Sequence, residues 1–307
     1  MRLPPWSYFA GSATFHYLGP AFAVLLFARI EPLGVAGLRI WSAALVFALW
    51  RRPWRAFARL DRTGRRIVLA WGVVLALMNA VFYLAIDRLP LGTVAAIEFL
   101  PVIALAALGV RSVRNLGALA AAVGGVYLLT DVRLAGEPLG FVFAFANAGL
   151  FAAYIVLAHR ASRTTGGSVG GIDGLGAAMI VAAMVAVPLG GLQAGPALLD
   201  PVGLAAGVGV GICSSVIPYV LDQLAMARLA RATYALMVAL LPAVAVLISA
   251  VVLRQVPAMV ELVGVALVIG GVALQRGGEQ PAAGDDRLPE DLGRFRGSAS
   301  CGHGCQP

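Results

Sequence analysis

The stretch AIEFLP (96–101) makes Glu98 the only charge between Leu91 and Val110 and sets Pro101 three residues after it. A carboxylate in apolar surroundings must pair with a cation, collect hydrogen-bond donors or hold a proton. Left alone at the centre of a hydrocarbon layer, it costs about 2.5–3.5 kcal/mol even on lenient insertion scales. Such a group is suited to carrying a proton or binding a substrate ammonium. Asn79 and Tyr83 precede it at comparable depth, spaced i, i+4 and therefore on one helix face. Arg39 is the complementary cation, since a guanidinium can clamp a carboxylate with two parallel hydrogen bonds. Together, Arg39 and Glu98 could hold the two charged ends of an amino acid. Equally, they could form a structural ion pair with each other, or Arg39 could snorkel to an interface.

Other polar residues stand in otherwise apolar runs. Asp222, beside Gln223, could handle a proton or substrate, or could pair with Arg228 or Arg231. His16 could relay protons, or could be a buried histidine with a satisfied hydrogen bond. Asn147 and Tyr154 are seven residues apart and share a helix face, as candidates for an opposing wall of the site. Pro101 removes a backbone donor and is expected to kink its helix, freeing the Ile97 carbonyl for a ligand or water, and Pro242 is the corresponding break further on.

The elements that must carry these residues follow from composition. Of 307 residues, 60% are hydrophobic and 12% charged, against roughly 45–50% and about 25% in soluble domains. Ten apolar stretches recur at 8–28, 35–50, 67–86, 91–110, 116–130, 139–158, 169–189, 202–225, 233–252 and 258–274. They are long enough to cross a bilayer and lack the polar–apolar alternation of barrel strands. The chain is therefore read as an all-α membrane protein with ten transmembrane helices, the first retained and not cleaved as a signal. Asp173 and Glu261 lie near span ends, where solvated or interfacial positions are expected.

All 23 basic residues are arginines. Seven fall in RRPWRAFARLDRTGRR (51–66), which should be cytoplasmic. Carrying that choice through ten spans puts 18 arginines inside and four outside, Arg39 being within a span, and both termini cytoplasmic. This asymmetry accounts for the net charge of +8, so no nucleic-acid partner is inferred from it.

The sequence also repeats. LAIDRLPLGTVAAIEFLP (84–101) aligns with LAMARLARATYALMVALLP (224–242), and VGGV (123–126) with IGGV (269–272). The offset is five spans. An odd number turns the second copy over in the membrane, giving two inverted five-helix repeats at 1–130 and 131–275, followed by a disordered cytoplasmic tail at 276–307. Inverted repeats are the architecture of alternating-access transporters.

On GLRI (37–40), MNAVFYLAIDRLPLGTVAAIEF (78–99), PYVLDQLAMARL (218–229) and the paired halves, the chain resembles the drug/metabolite transporter superfamily, EamA-type, and within it the inner-membrane threonine/homoserine exporters. The resemblance covers roughly 7–275. It implies ion-driven export of small metabolites, such as threonine or homoserine, by proton antiport across the inner membrane. The expected partners are that substrate, the proton and the lipid bilayer, with a homo-oligomer left open and no cofactor. A membrane channel or a subunit of a larger complex is the alternative.

Several motifs lead elsewhere. GVGVG (207–211) imitates a nucleotide loop but lies mid-span. Gly203, Gly207 and Gly211 read better as a small-residue packing face. The chain has no lysine and three isolated histidines, which leaves no Schiff base, Walker lysine or HExxH site, so no enzyme activity is expected. Cys301, His303 and Cys305 in the tail could ligate a soft metal, but they stand in Gly-, Pro- and charge-rich sequence that reads as disordered.

Overall fold

The computed structural model describes residues 4–101, 104, 112–131, 137–164, 171–226 and 240–274. These residues belong to the unit Met1–Arg276. The tail residues Cys301, His303 and Cys305 lie outside the described residues.

Every described element is helical. The helices are α1 (Pro5–Leu26), α2 (Pro32–Arg51), α3 (Pro53–Ala58), α4 (Arg62–Ile86), α5 (Leu91–Glu98) and α6 (Val113–Asp131). They continue as α7 (Pro138–Thr164), α8 (Gly171–Leu199), α9 (Pro201–Gly211), a π-helical segment (Ile212–Val216), α10 (Ile217–Met226), α11 (Leu241–Val252) and α12 (Met259–Leu274). Six of the described helical runs are long and apolar enough to cross a membrane; α9, the π segment and α10 form one of them. Three further apolar helices are shorter.

Local chemistry sets the helix starts. Proline opens α1, α2, α3 and α9, where its missing N–H costs nothing and its fixed φ suits the first turn. Asp61 caps α4 by accepting from the Gly64 N–H, and Asp200 caps α9 by accepting from Val202 and Gly203. Glu261 reaches back from the first turn of α12 to the Ala258 N–H at 2.9 Å. That bond explains why Glu261 is 3% exposed and not solvated as expected: its charge is used to close a helix end. Asp173, in contrast, is partly exposed and pairs with Arg51 at 2.7 Å, tying the start of α8 to the end of α2.

One span end differs from expectation. The span expected at 169–189 is followed by no loop at GGLQAGP. Instead, α8 continues through Pro188 and Pro196 to Leu199, and Ala194 is fully buried. A helix packed among others tolerates proline because neighbouring groups compensate for the lost bond, and here the backbone of Gly34 on α2 packs directly on Gln193 and Ala194. The arginine-rich loop contains α3, reached through Arg52 at a left-handed φ of 49°.

The bundle is built from small residues inside and large ones outside. Alanine and glycine dominate the buried faces, while Leu45, Leu49, Phe145, Met184, Leu247 and Val251 point outward. Lipid is as apolar as leucine, so association rests on close backbone approach rather than on hydrophobic burial. The glycine face of α9 meets α2: a Cβ on Gly207 would sit 2.7 Å from Leu38 Cδ1, and one on Gly211 would be 2.7 Å from the Arg39 carbonyl. Helix α1 packs on α10 and the π segment, α4 on α7 and α8, α2 on α8 and α9, α5 on α11, and α6 on α12.

Candidate functional site

Seven elements contribute to one buried polar cluster in the bundle. Glu98 is the last residue of α5. The regular helix stops at Phe99, two residues before Pro101, and the Phe99 N–H turns to the Ala96 carbonyl at 3.4 Å. Glu98 is 8% exposed and accepts a hydrogen bond from Asn147 Nδ2 of α7 at 3.2 Å. Asn147 is completely buried, and its Oδ1 has no hydrogen-bond partner among the described residues.

Arg39 lies mid-way along α2, 7% exposed, so it does not snorkel. Its Nε donates to Ser215 Oγ at 3.0 Å and its Nη2 to the Ser214 carbonyl at 3.1 Å. Both acceptors belong to the π-helical segment, whose widened turn offers a backbone carbonyl to a neighbouring helix; such bulges are frequent at functional sites. Close packing fixes the segment from two sides. Gly19 of α1 lies against Ser214, and Gly211 lies against Ser42. Ser214 Oγ itself donates to the Val210 carbonyl.

No contact of 4.0 Å or less joins the Arg39 guanidinium to the Glu98 carboxylate, although each is within electrostatic reach of the other. A direct structural ion pair, one of the alternatives read from sequence, is therefore absent. Two opposite charges are instead buried in one cluster on neutral partners. Around them stand Tyr83, whose ring lies 5.6 Å from Arg39 Cζ, and Tyr17, within electrostatic reach of Glu98. The Tyr17 phenol oxygen is buried with no hydrogen-bond partner among the described residues, and the Tyr83 phenol lies beside Arg39 and Ser214. Buried polar groups are nearly always hydrogen-bonded, so Tyr17 Oη and Asn147 Oδ1, unpartnered among the described residues beside two charges, mark a place for a polar ligand or water.

The remaining sequence candidates fall at different distances from this centre. His16, half-buried on α1, meets the Tyr17 ring edge-on at 5.2 Å and is within electrostatic reach of Arg39. Asn79 is buried one turn below Tyr83, where its Nδ2 donates to the Leu75 carbonyl at 2.8 Å. Tyr154 lies two turns from Asn147 in an aromatic file: Phe99 meets Phe151 at 6.4 Å, Phe151 stacks on Tyr154 at 6.2 Å, and Tyr154 meets Trp71 at 5.8 Å. Asp222 belongs to α10, and its side chain lies outside the described residues. Pro242 is buried in the first turn of α11, the helix packed on α5.

Ser214 and Ser215 were not singled out by sequence. The signal available was a pair of hydroxyls, CSS, directly after the glycine face. Serine in an apolar helix commonly bonds its own preceding turn, so the pair alone does not indicate an arginine partner.

Residues 138–276 match the EamA-like transporter family. The threonine/homoserine exporter RhtA of Escherichia coli K12 is 30% identical over 257 residues, spanning 82% of this chain and 84% of the exporter. The RhtA of Salmonella typhimurium LT2 is 29% identical over 258 residues with the same coverage, 82% and 84%. A crystal structure with 19% identity superposes with a TM-score of 0.59, covering 89% of this chain and 98% of the other, and so shares the fold.

Proposed function

The chain belongs to the EamA-like transporter family, is a membrane transporter and not an enzyme, and we propose on that premise that it exports threonine, homoserine or a closely similar amino acid. Export crosses the inner membrane, with both termini cytoplasmic as the arginine distribution requires. The driving force is proton antiport with alternating access.

The observation that carries this reading is the separate burial of Arg39 and Glu98. A guanidinium held by Ser214 and Ser215 has N–H groups left over, and a carboxylate held at one oxygen by Asn147 has an acceptor left over. An amino acid fills both needs at once: its carboxylate meets Arg39, and its ammonium meets Glu98 and Asn147 Oδ1. The Tyr17 phenol, unpartnered among the described residues, suits a substrate hydroxyl or a bridging water. A proton on Glu98 competes with the ammonium, which is the coupling that antiport needs.

Helix packing supports the inverted five-helix halves. Numbering α1, α2, α4, α5 and α6 as spans one to five and α7, α8, α9–α10, α11 and α12 as six to ten, the contacts come in exchangeable pairs. Span one on eight corresponds to six on three, three on seven to eight on two, and one on nine to six on four, while two–seven, four–nine and five–ten map onto themselves. Two oppositely oriented halves meeting in this way can trade conformations around a site between them. Ser214 and Ser215 on span eight, and Asn147 on span six, bring the second half to charges carried by the first.

The substrate assignment is tested by tolerance. Overproducing the chain in a bacterial host should raise the threonine and homoserine concentrations at which growth stops. Unchanged tolerance to both, with the protein present in the membrane, contradicts the assignment.

A further inference from the structure

A cavity of about 240 Å³ opens where the α4–α5 turn meets the loop between α11 and α12. It lies at the end of α4 opposite the arginine-rich loop, and Glu98 does not line it. Arg88 and Asp87 enter it from the turn, Thr93 from α5, Gln255 from the loop and Glu261 from α12; Val24, Val246 and Val265 form apolar wall.

Arg88 and Gln255 keep donors that the described residues do not use. Arg88 Nη1 donates to the Leu84 carbonyl at 2.9 Å and to Asp87 Oδ2 at 3.2 Å, and its guanidinium lies over the Phe143 ring at 5.3 Å. Among the described residues, hydrogen bonds are made only by its Nη1, which leaves the other guanidinium N–H groups to donate. Thr93 is 3% exposed and its side chain lines the chamber. Gln255 Oε1 accepts from Ser249 Oγ at 2.6 Å, which orients the amide and leaves its N–H₂ to donate. Cationic and amide donors thus share a small chamber with the Asp87 and Glu261 carboxylates and a patch of valine. That combination matches a zwitterion with a short side chain. It does not match a lipid tail, which needs a continuous apolar wall, or a lone anion, which two carboxylates would repel.

Thr93 precedes Glu98 by five residues, about 7.5 Å along a helix axis. The chamber therefore lies next along α5 from the charged cluster toward the end of the bundle. We propose that it is a second, outer substrate site, which holds the amino acid between its release from Arg39 and Glu98 and its escape from the protein. This rests on the exporter reading. An outer station would also let an external amino acid occupy the exit and slow net export while permitting exchange.

Equilibrium binding of radiolabelled threonine to the purified full-length protein tests it. The wild type should bind two threonines per chain. The double variant Arg88→Gln/Thr93→Val should bind one with unchanged affinity, and Arg39→Gln/Glu98→Gln should bind the other alone. Thr93→Val by itself conserves volume and should weaken only the outer site, so the test survives if the double variant fails to fold. If the wild type binds one threonine, lost in Arg39→Gln/Glu98→Gln and untouched by Thr93→Val and Arg88→Gln, the outer site is overturned and the exporter reading stands. Binding of neither threonine nor homoserine by the wild type overturns both.

Discussion

Arg39 and Glu98 share one buried cluster yet do not touch: the first is held by Ser215 Oγ and the Ser214 carbonyl, the second by Asn147 Nδ2. Each charge is stabilised by neutral partners that remain in place when the other charge is removed. This separates the pair from a buried salt bridge, in which losing one partner strands the other at a cost of several kcal/mol.

Glu98→Gln should therefore fold. The glutamine carbonyl can still accept from Asn147, so the cost should stay within about 1 kcal/mol. Adding Arg39→Gln should rescue nothing. Thermal unfolding of the purified variants in detergent checks this; a destabilised Glu98→Gln restored by Arg39→Gln would show the two charges to be mutually dependent.

Ser215→Ala removes the acceptor of Arg39 Nε and leaves a buried cation with one fewer bond. Hydrogen bonds to charged groups contribute about 1.5–3 kcal/mol, so the variant should unfold at lower temperature and transport poorly. Ser215→Thr, which keeps the hydroxyl, should recover most of the loss. Equal behaviour of the alanine and threonine variants would show that the hydroxyl does not hold Arg39.

Gly207→Leu should reduce the folded protein recovered from membranes, because any Cβ there enters Leu38 and pushes α9 off α2. Unchanged yield and transport would contradict the close packing of these two helices.

A reporter active only in the periplasm should be silent when fused after Arg59 and active when fused after Asp200, the break between α8 and α9. The arginine asymmetry alone sets this expectation. Activity after Arg59 would reverse the orientation.

Much of this was legible in the sequence, for a physical reason: a charge or amide in an apolar run is expensive, so Arg39, Glu98 and Asn147 announce themselves by residue type. The described helices start close to where the apolar runs start, because length and hydropathy are set by the bilayer. The course of α8 past Leu189 was not legible, since Pro188, Gly190, Gly191 and Pro196 read locally as a loop, and only packing against Leu33 and Gly34 keeps that stretch helical. The π segment was hidden for the same reason: ICSSV carries no local mark of a widened turn, which coincides with close contacts to α1 and α2. Glu261 near a span end resembled an interfacial acid until its bond to the Ala258 N–H placed it inside. Chemistry that depends on one residue's cost was readable; geometry that depends on a distant helix was not.

The central claim is that Glu98 exchanges a proton for the substrate ammonium, and efflux of labelled threonine from proteoliposomes under an imposed pH gradient tests it most directly. The wild type should move threonine against its gradient and respond to external pH. Glu98→Gln keeps shape and a hydrogen-bonding carbonyl but cannot titrate, so gradient-driven transport should vanish and any residual exchange should be independent of pH. A Glu98→Gln protein that transports threonine at the wild-type rate, with its pH response intact, would contradict the account.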